Sequence, residues 1–235
     1  MGAGVKRFWK EAKAEAAEDG WTVRLDGRPL RTPAKAPFLA PTRALAEAAA
    51  AEWAAQEAEV KPAEMPFTRA VNTAIDRTAP EWEAVAAAVA AYGGSDLLCY
   101  RAEGPEALRA RQAAHWDPLL DWAREAHGAR LVTASGIVHR AQDEAALARL
   151  EAAVRRFDAY GLTALYDLTA LSGSLVIALA VAQRRLEAGE GWRLSRLDES
   201  WNEEFWGVDD LAAATAARKA RDFEVAARML ALLEA

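Results

Sequence analysis

The spacing of the apolar residues changes near Pro41, and this change limits the possible folds more than any other feature of the sequence. In the segment 12–16 alanines alternate with charged residues, and from Trp21 to Leu25 every second residue is large and apolar. A period of two is typical of a β-strand with one buried face. The pair Asp26-Gly27 is typical of a hairpin turn, and the prolines in 29–37 favour an extended edge segment. This part of the chain therefore predicts a small antiparallel sheet.

Beyond Pro41 the apolar residues recur at helical spacing. Thr42 can cap a first helix, in which Leu45, Ala49 and Trp53 form one line. Residues 131–139 have strand character and could form a hairpin or rejoin the sheet. Further helices are predicted over 67–77, from a capping box of Thr78 and Glu81 to Gly93, from Pro105 to about Ala126, and over 143–160, 162–187, 195–206 and 209–234.

These patterns predict an α+β fold. A small antiparallel β-sheet domain with a helix is expected over residues 1–80, followed by a mainly α-helical bundle domain over residues 81–235. Alanine accounts for 59 of the 235 residues, so the hydrophobic share of 52% reflects helix-forming methyl groups more than a large core. The nine tryptophans either supply the bulk that alanine lacks or face a partner.

The charge balance argues against a nucleic-acid partner. The chain has 35 acidic and 29 basic residues, a net charge of −6, and no basic stripe that could neutralise phosphates. The single cysteine, Cys99, excludes an intramolecular disulfide and is expected to be a buried structural thiol. Together with the absence of an apolar signal-peptide stretch, this predicts a cytoplasmic protein.

No membrane insertion is expected from the sequence. The longest uncharged run, Leu168–Gln183, is shorter than the roughly 20 apolar residues that a membrane span needs. We interpret it as one fully buried core helix. The three histidines, His115, His127 and His139, lack metal-ligand spacing, and no glycine-rich phosphate loop or nucleophile elbow occurs. The residues therefore indicate neither a cofactor nor a metal.

The segment 195–207, SRLDESWNEEFWG, is the densest pattern in the chain. Ser195 and Asp198 are predicted to form a capping box for a helix that Gly207 ends. One line of this helix is apolar, and the neighbouring face is acidic and carries a tryptophan. The apolar line consists of Leu194, Leu197, Trp201 and Phe205, and the neighbouring face of Arg196, Glu199, Glu203 and Trp206.

Three interpretations of this face stay open at the level of the residues. Glu199 and Glu203 are like charges one helical turn apart, which repel unless Arg196 or a cation of a partner compensates them. They could be a solvated helix face, which the residues alone favour, or part of a docking surface that a tryptophan anchors. They could also be the paired carboxylates of an enzyme site, although no histidine or third ligand accompanies them in sequence.

A family resemblance extends over nearly the whole chain. The sequence resembles the ATP synthase F1 assembly chaperones that act on the alpha subunit, found in mitochondria and alpha-proteobacteria. Seven blocks in the same order carry the resemblance: GWTVRLDGRPLRTPAK (20–35), PTRALAEAAAAEWAAQ (41–56), MPFTRAVNTAIDR (65–77), SDLLCYRA (95–102), RQAAHWDPLLDWA (111–123), LTALSGSLVIALAVA (168–182) and SRLDESWNEEFWG (195–207).

The resemblance implies a binding protein and not an enzyme, with no cofactor and no small-molecule substrate. Such a chaperone holds unassembled F1 alpha subunit, shields its subunit-contact surface and releases it to beta. Asn202 stands where the family has Gln, and Tyr166 where it often has His. The alternative is a small-molecule enzyme that uses Glu199 and Glu203 near His115. The partner-binding residues that the resemblance implies are Asp198, Glu199, Trp201, Glu203, Trp206 and Gly207, with Trp53 as a second candidate.

Overall fold

A computed structural model describes residues 6–136 and 138–235. Its secondary structure confirms the predicted α+β class, with an antiparallel sheet near the N-terminus and helices after it. The strands are β1 (Ala12–Ala17), β2 (Gly20–Leu25), β3 (Arg28–Pro29), β4 (Tyr100–Arg101) and β5 (Ala134–Ser135). The helices are α1 (Arg43–Ala55), α2 (Pro66–Thr73), α3 (Trp82–Ala91), α4 (Glu106–His127), α5 (Glu144–Val154), α6 (Ala159–Ser172), α7 (Leu175–Ala182), α8 (Ala188–Ser195), α9 (Leu197–Trp206) and α10 (Asp210–Leu233).

The chain divides into two compact units. The first comprises Met1–Trp82, Asp158–Ala164 and Arg228–Ala235, and the second comprises Glu83–Phe157 and Leu165–Ala227. The helices α6 and α10 thus contribute residues to each unit. The division into domains at residues 80 and 81 stays a prediction.

In the first unit, α1 packs against an antiparallel sheet of order β1-β2-β3. The register of β1 with β2 runs from Ala12 opposite Leu25 to Ala17 opposite Gly20. Because side chains alternate between the two faces of a strand, the apolar residues of β1 and β2 share one face of the sheet. Thr42 caps α1 as predicted, since its Oγ1 accepts from the Leu45 N–H at 3.2 Å.

The second unit has α7 in its core. All seven residues from Leu175 to Val181 are buried, and Trp116 of α4 has no exposed surface. Asp96 is also fully buried, and its carboxylate accepts from the Ser174 Oγ at 2.7 Å and the Val176 N–H at 3.0 Å. The start of α7 is therefore fixed by a buried carboxylate.

The predicted single helix over 162–187 is wrong, because the segment contains two helices. Gly173 has φ of +70°, a left-handed conformation that ends α6. Ser174 then caps α7, its Oγ accepting from the Ile177 N–H at 3.0 Å. The run Leu168–Gln183 is buried over most of its length, but the glycine divides it between α6 and α7.

The capping box predicted at Thr78 is also wrong. Thr78 ends a π-helical turn, Ala74–Thr78, and its hydroxyl is hydrogen bonded at 2.7 Å to the hydroxyl of Thr163. The segment 131–139 forms neither a hairpin nor a part of the N-terminal sheet: β5 pairs in parallel with β4, and Ile137 lies outside the described residues. Within the described residues, no helix is both long enough and apolar enough to cross a membrane.

Candidate docking surface

The C-terminal half of α9 is held to α4 by a charged and aromatic cluster. Both Glu204 carboxylate oxygens accept from the Arg111 guanidinium, at 2.6 and 3.0 Å. The same guanidinium lies 4.6 Å from the centroid of the Trp201 ring. The hydrogen bond lowers the pKa of Glu204 and raises that of Arg111. Because the fork is bidentate, it fixes the orientation of α9 as well as its position.

The N-terminal half of α9 is fixed by buried side chains of α4. Gln112 has no exposed surface, and its Nε2 donates to Asp198 Oδ1 at 2.7 Å. The buried Trp116 donates from Nε1 to the carbonyl of Leu194 at 3.0 Å, in the last turn of α8 and three residues before α9 begins. The predicted capping box is wrong, since the Ser195 hydroxyl donates to the Trp192 carbonyl and makes no cap.

Arg196 compensates the pair of like charges on the acidic face. Its guanidinium lies 2.8 Å from Glu203 Oε1 and 3.7 Å from Glu199 Oε1. Glu203 is the more engaged of the two, with 34% of its side chain exposed against 55% for Glu199. Glu199 is thus the carboxylate on this face that is more available to a partner.

The end of α9 carries exposed apolar side chains, which we name the apolar corner. Their exposed fractions are large: Phe205 64%, Trp206 87%, Val208 62% and Leu211 78%. The predicted apolar line of α9 therefore ends at the half-buried Trp201, and Phe205, whose ring centroid lies 4.9 Å from that of Trp201, is on the surface.

The end of α9 and the start of α10 both lie within the apolar corner. Gly207, with φ of +84°, ends α9, and Asp209 caps α10 through its Oδ1, which accepts from the Ala212 N–H at 2.7 Å. Two helix ends therefore present their side chains at one bend. Among the described residues seven large hydrophobic side chains are exposed, and four of them belong to this corner. Such clustering on a surface marks an interaction site more often than scattered exposure does.

The surroundings of the apolar corner are acidic. The segment 197–217 contains no lysine or arginine. Two arginines that contact α9 side chains, Arg111 and Arg196, are both engaged by glutamates. The carboxylates that flank the corner in sequence are Asp198, Glu199, Glu203, Glu204, Asp209 and Asp210.

Six of the seven residues implied by the resemblance lie on α9 or directly after it. Trp53 does not: it belongs to the first unit, and its ring packs against buried Trp9 with centroids 5.1 Å apart. The Trp9 Nε1 also donates to the Trp53 carbonyl, at 3.3 Å. These contacts favour a packing role for Trp53.

Sequence reasoning missed several residues of this surface. Val208 follows Gly207, and Leu211 follows Asp209 and Asp210. Their placement beyond the end of a helix was the signal that they could be exposed. Arg111 and Glu204 are 93 residues apart, and no periodicity links them.

A cavity of about 430 Å³ lies beside the first turn of α9. Its lining includes Asp198, Glu199, Trp116 and Lys219, but not Glu203. The two carboxylates of the enzyme alternative therefore do not converge in this cavity, and Arg196 engages both. Across residues 6–136 and 138–235 no group of three potential metal ligands of the His, Cys, Asp or Glu type occurs.

A helix fixed to the core by hydrogen bonds, ending in exposed aromatic side chains with acidic neighbours in sequence, is typical of proteins that bind another protein. Comparison with known proteins identifies the family of this chain. The chain belongs to the ATP12 chaperone protein family, whose model matches residues 6–124. The resemblance found in the sequence is thereby confirmed, and the class is that of an ATP synthase assembly chaperone.

Solved structures agree over nearly the full length. Atp12 from Paracoccus denitrificans is 45% identical, with a TM-score of 0.94 over 97% of this chain and 98% of that one. A point mutant of the P. denitrificans protein is also 45% identical, with a TM-score of 0.95 over the same shares. The Atu1473 protein of Agrobacterium tumefaciens is 44% identical, with a TM-score of 0.93 over 97% of this chain and 86% of that one.

Proposed function

We propose that this protein binds the unassembled alpha subunit of F1 through the apolar corner and the acidic face of α9. In this role it shields the surface through which alpha contacts its neighbouring subunits, and it releases alpha to beta during assembly. The observation that carries the proposal is the 87% exposure of Trp206, the last residue of a helix that is otherwise firmly attached.

Exposure of this kind supports binding because tryptophan anchors contribute much of the energy of protein interfaces. The Arg111–Glu204 fork and the Gln112–Asp198 hydrogen bond hold α9 in place before any partner arrives. Side chains on a preorganised element lose less entropy on binding than those on a mobile loop.

The charges indicate the chemistry of the complementary surface. Glu199 on α9, together with Asp209 and Asp210 beside the apolar corner, would favour a client surface with an apolar hollow bordered by lysine or arginine. An interface with a polar rim dissociates more readily than a fully apolar one. Exchange of the chaperone for beta can then drive release without nucleotide chemistry.

The direct experiment is co-expression with F1 alpha, with measurement of co-purification and of soluble alpha. Trp206→Ala is expected to weaken the complex by about 30-fold or more, the range of interface anchors, with an unchanged melting temperature. Phe8→Ala is the matched control, because Phe8 is an aromatic residue 64% exposed in the first unit. Equal binding by wild type and Trp206→Ala would refute the proposed surface, and failure of wild type to bind or solubilise alpha would refute the client.

A charge reversal tests the acidic face separately. Glu199→Lys is expected to weaken the complex and reduce its salt dependence, while the melting temperature stays close to that of wild type. The reason is that Glu199 is half exposed and lies 3.7 Å from Arg196, so little folding energy depends on it. A large loss of stability would instead give Glu199 a structural role.

A further inference from the structure

The strand β1 is an edge of the N-terminal sheet with backbone groups directed outward. On the far side of β2 from β1, the Trp21 N–H and C=O exchange hydrogen bonds with Ala40, at 2.9 and 2.7 Å. The Val23 carbonyl accepts from Leu30 on that same side, at 2.8 Å. Residues 21 and 23 of β2 therefore direct their backbone groups away from β1.

The register between β1 and β2 identifies which residues of β1 direct their backbone groups outward. Ala16 lies opposite Trp21 and Ala14 lies opposite Val23, so both are non-hydrogen-bonded pairs. Backbone direction alternates along a strand, so the N–H and C=O groups of Ala12, Ala14 and Ala16 point out of the sheet. No described residue forms a hydrogen bond with these groups. The edge also lacks the proline or bulge that commonly blocks strand addition.

The residues of this edge are self-complementary. Residues 12–16 read Ala-Lys-Ala-Glu-Ala, so alanines lie at equal distances on both sides of Ala14, while the residue before Ala14 is basic and the residue after it is acidic. When two copies pair antiparallel about Ala14, Lys13 of one copy lies opposite Glu15 of the other, twice. The same register brings the outward backbone groups of the two copies together and forms about six hydrogen bonds, two for each of three residue pairs.

We propose that β1 pairs with β1 of a second copy of this chain, in antiparallel register centred on Ala14. Lys13 and Glu15 have exposed side chains, at 62% and 49%. Each has an ion-pair partner within its own chain, Glu11 at 2.6 Å and Arg24 at 2.8 Å, and shares its charge with the second copy on the same exposed face. A contact along one short strand is smaller than a standard interface, and the dimer is accordingly weak. It forms at about 100 µM and dissociates at about 1 µM, a range typical of small transient contacts.

Cross-linking tests the register directly. Ala14→Cys in the full-length chain is expected to form a disulfide-linked dimer under mild oxidation, because the two Cα atoms of a hydrogen-bonded pair lie about 5.5 Å apart. Ala16→Cys is the matched control, since Cys at 16 would lie several residues away from its own copy and stay reduced. Cys99 is 2% exposed and does not interfere. Efficient cross-linking of both variants, or of neither, would overturn the register.

Charge exchange tests the pairing in solution by sedimentation velocity. Lys13→Glu alone and Glu15→Lys alone are each expected to be monomeric at about 100 µM, because like charges then face each other across the edge. An equimolar mixture of the two is expected to restore the dimer, since every acid again meets a base. Ala14→Pro removes an outward N–H without touching the ladder to β2, and is expected to fold and remain monomeric.

Two outcomes would overturn the proposal. One is a wild-type chain that stays monomeric at about 500 µM, well above the range of weak specific contacts. The other is a dimer that Ala14→Pro leaves intact. Loss of binding to F1 alpha by Ala14→Pro, with no wild-type dimer, would assign the edge to the client instead. The cross-linking and sedimentation measurements need no client, so they are independent of the function proposed above.

Discussion

Asp96 is expected to make the stability of this protein depend on pH in the direction opposite to that of a salt-bridged carboxylate. The side chain has no exposed surface. Its oxygens accept from the Ser174 hydroxyl at 2.7 Å and from the Leu98 and Val176 N–H groups at 3.0 Å. Burial nevertheless dominates and raises the pKa of Asp96 from 3.8 to about 6, while these hydrogen bonds act in the opposite direction.

The magnitude is set by the difference between the folded and unfolded pKa. A rise from 3.8 to about 6 corresponds to about 3 kcal/mol at about 1.4 kcal/mol per pH unit. The folded state binds this proton more tightly than the unfolded state does. The contribution to stability is therefore present in full below pH 3.8 and is lost as the pH rises through about 6.

Urea unfolding of wild type and Asp96→Asn at several pH values measures this effect. Asn has the same shape and does not titrate, so other carboxylates cancel in the difference between the two proteins. The stability advantage of wild type over Asp96→Asn is expected to be about 2 kcal/mol larger near pH 4 than near pH 7, because at pH 4 part of the unfolded chain is already ionised at Asp96. Asn also turns an amide nitrogen toward a backbone donor, which adds a cost of about 1–3 kcal/mol at every pH.

A second variant checks the cause. Ser174→Ala removes a hydrogen bond to the ionised carboxylate and is expected to move the loss of stability to higher pH. A wild-type advantage that is constant with pH, or that grows toward neutral pH, would refute the reasoning. Asp96 would then be a carboxylate whose hydrogen bonds outweigh its burial.

Three further predictions concern packing, the attachment of α9 and the thiol. Gly191→Ala is expected to lower the free energy of unfolding by about 1–3 kcal/mol, since the new Cβ would lie 2.8 Å from a valine methyl. Gly189→Ala is the control and should not lower the free energy of unfolding, because nothing lies within 4 Å of its new Cβ. Urea unfolding of both variants tests this. A double-mutant cycle on Arg111 and Glu204 is expected to give a favourable coupling that declines with added salt, and a coupling insensitive to salt would contradict it. Burial raises the pKa of Cys99 to about 12, so an aromatic disulfide reagent is expected to label it only as the chain unfolds, and rapid labelling of the native protein would be inconsistent with this.

The N-terminal sheet could be predicted because its information is local. Alternation in 12–16 and from Trp21 to Leu25 sets which face of each strand is buried, and Asp26-Gly27 sets the turn. The cap at Thr42 is likewise a contact within one helical turn. Such features need only neighbouring residues, and the structure confirms them.

The wrong predictions involve residues whose partners are distant in sequence. Thr78 binds Thr163 rather than its own helix, and Asp198 binds Gln112 rather than completing a cap. Phe205 has the helical periodicity of its apolar line, yet the core ends one turn earlier, so the side chain is exposed. Local capping signals predict a hydrogen bond but cannot exclude a competing tertiary one.

The position of the candidate site on α9 stays a prediction, and the sequence did not indicate all of its exposed apolar residues. Its residues on α9 are those that the family resemblance implies, and Trp206 is 87% exposed among them. The apolar extension to Val208 and Leu211 lies beyond Gly207, whose left-handed φ of +84° ends α9. Periodicity describes the residues within a helix but not those beyond its end.

The break at Gly173 has a consequence for the order in which the chain folds. The helix α7 has eight residues, fewer than the roughly 12 that an isolated helix needs to be even marginally stable in water. Its start depends on Asp96, which lies 78 and 80 residues before Ser174 and Val176. A loop of that length must close before the carboxylate can help α7 to form. This helix, the most apolar in the chain, therefore forms together with the core around it and not before.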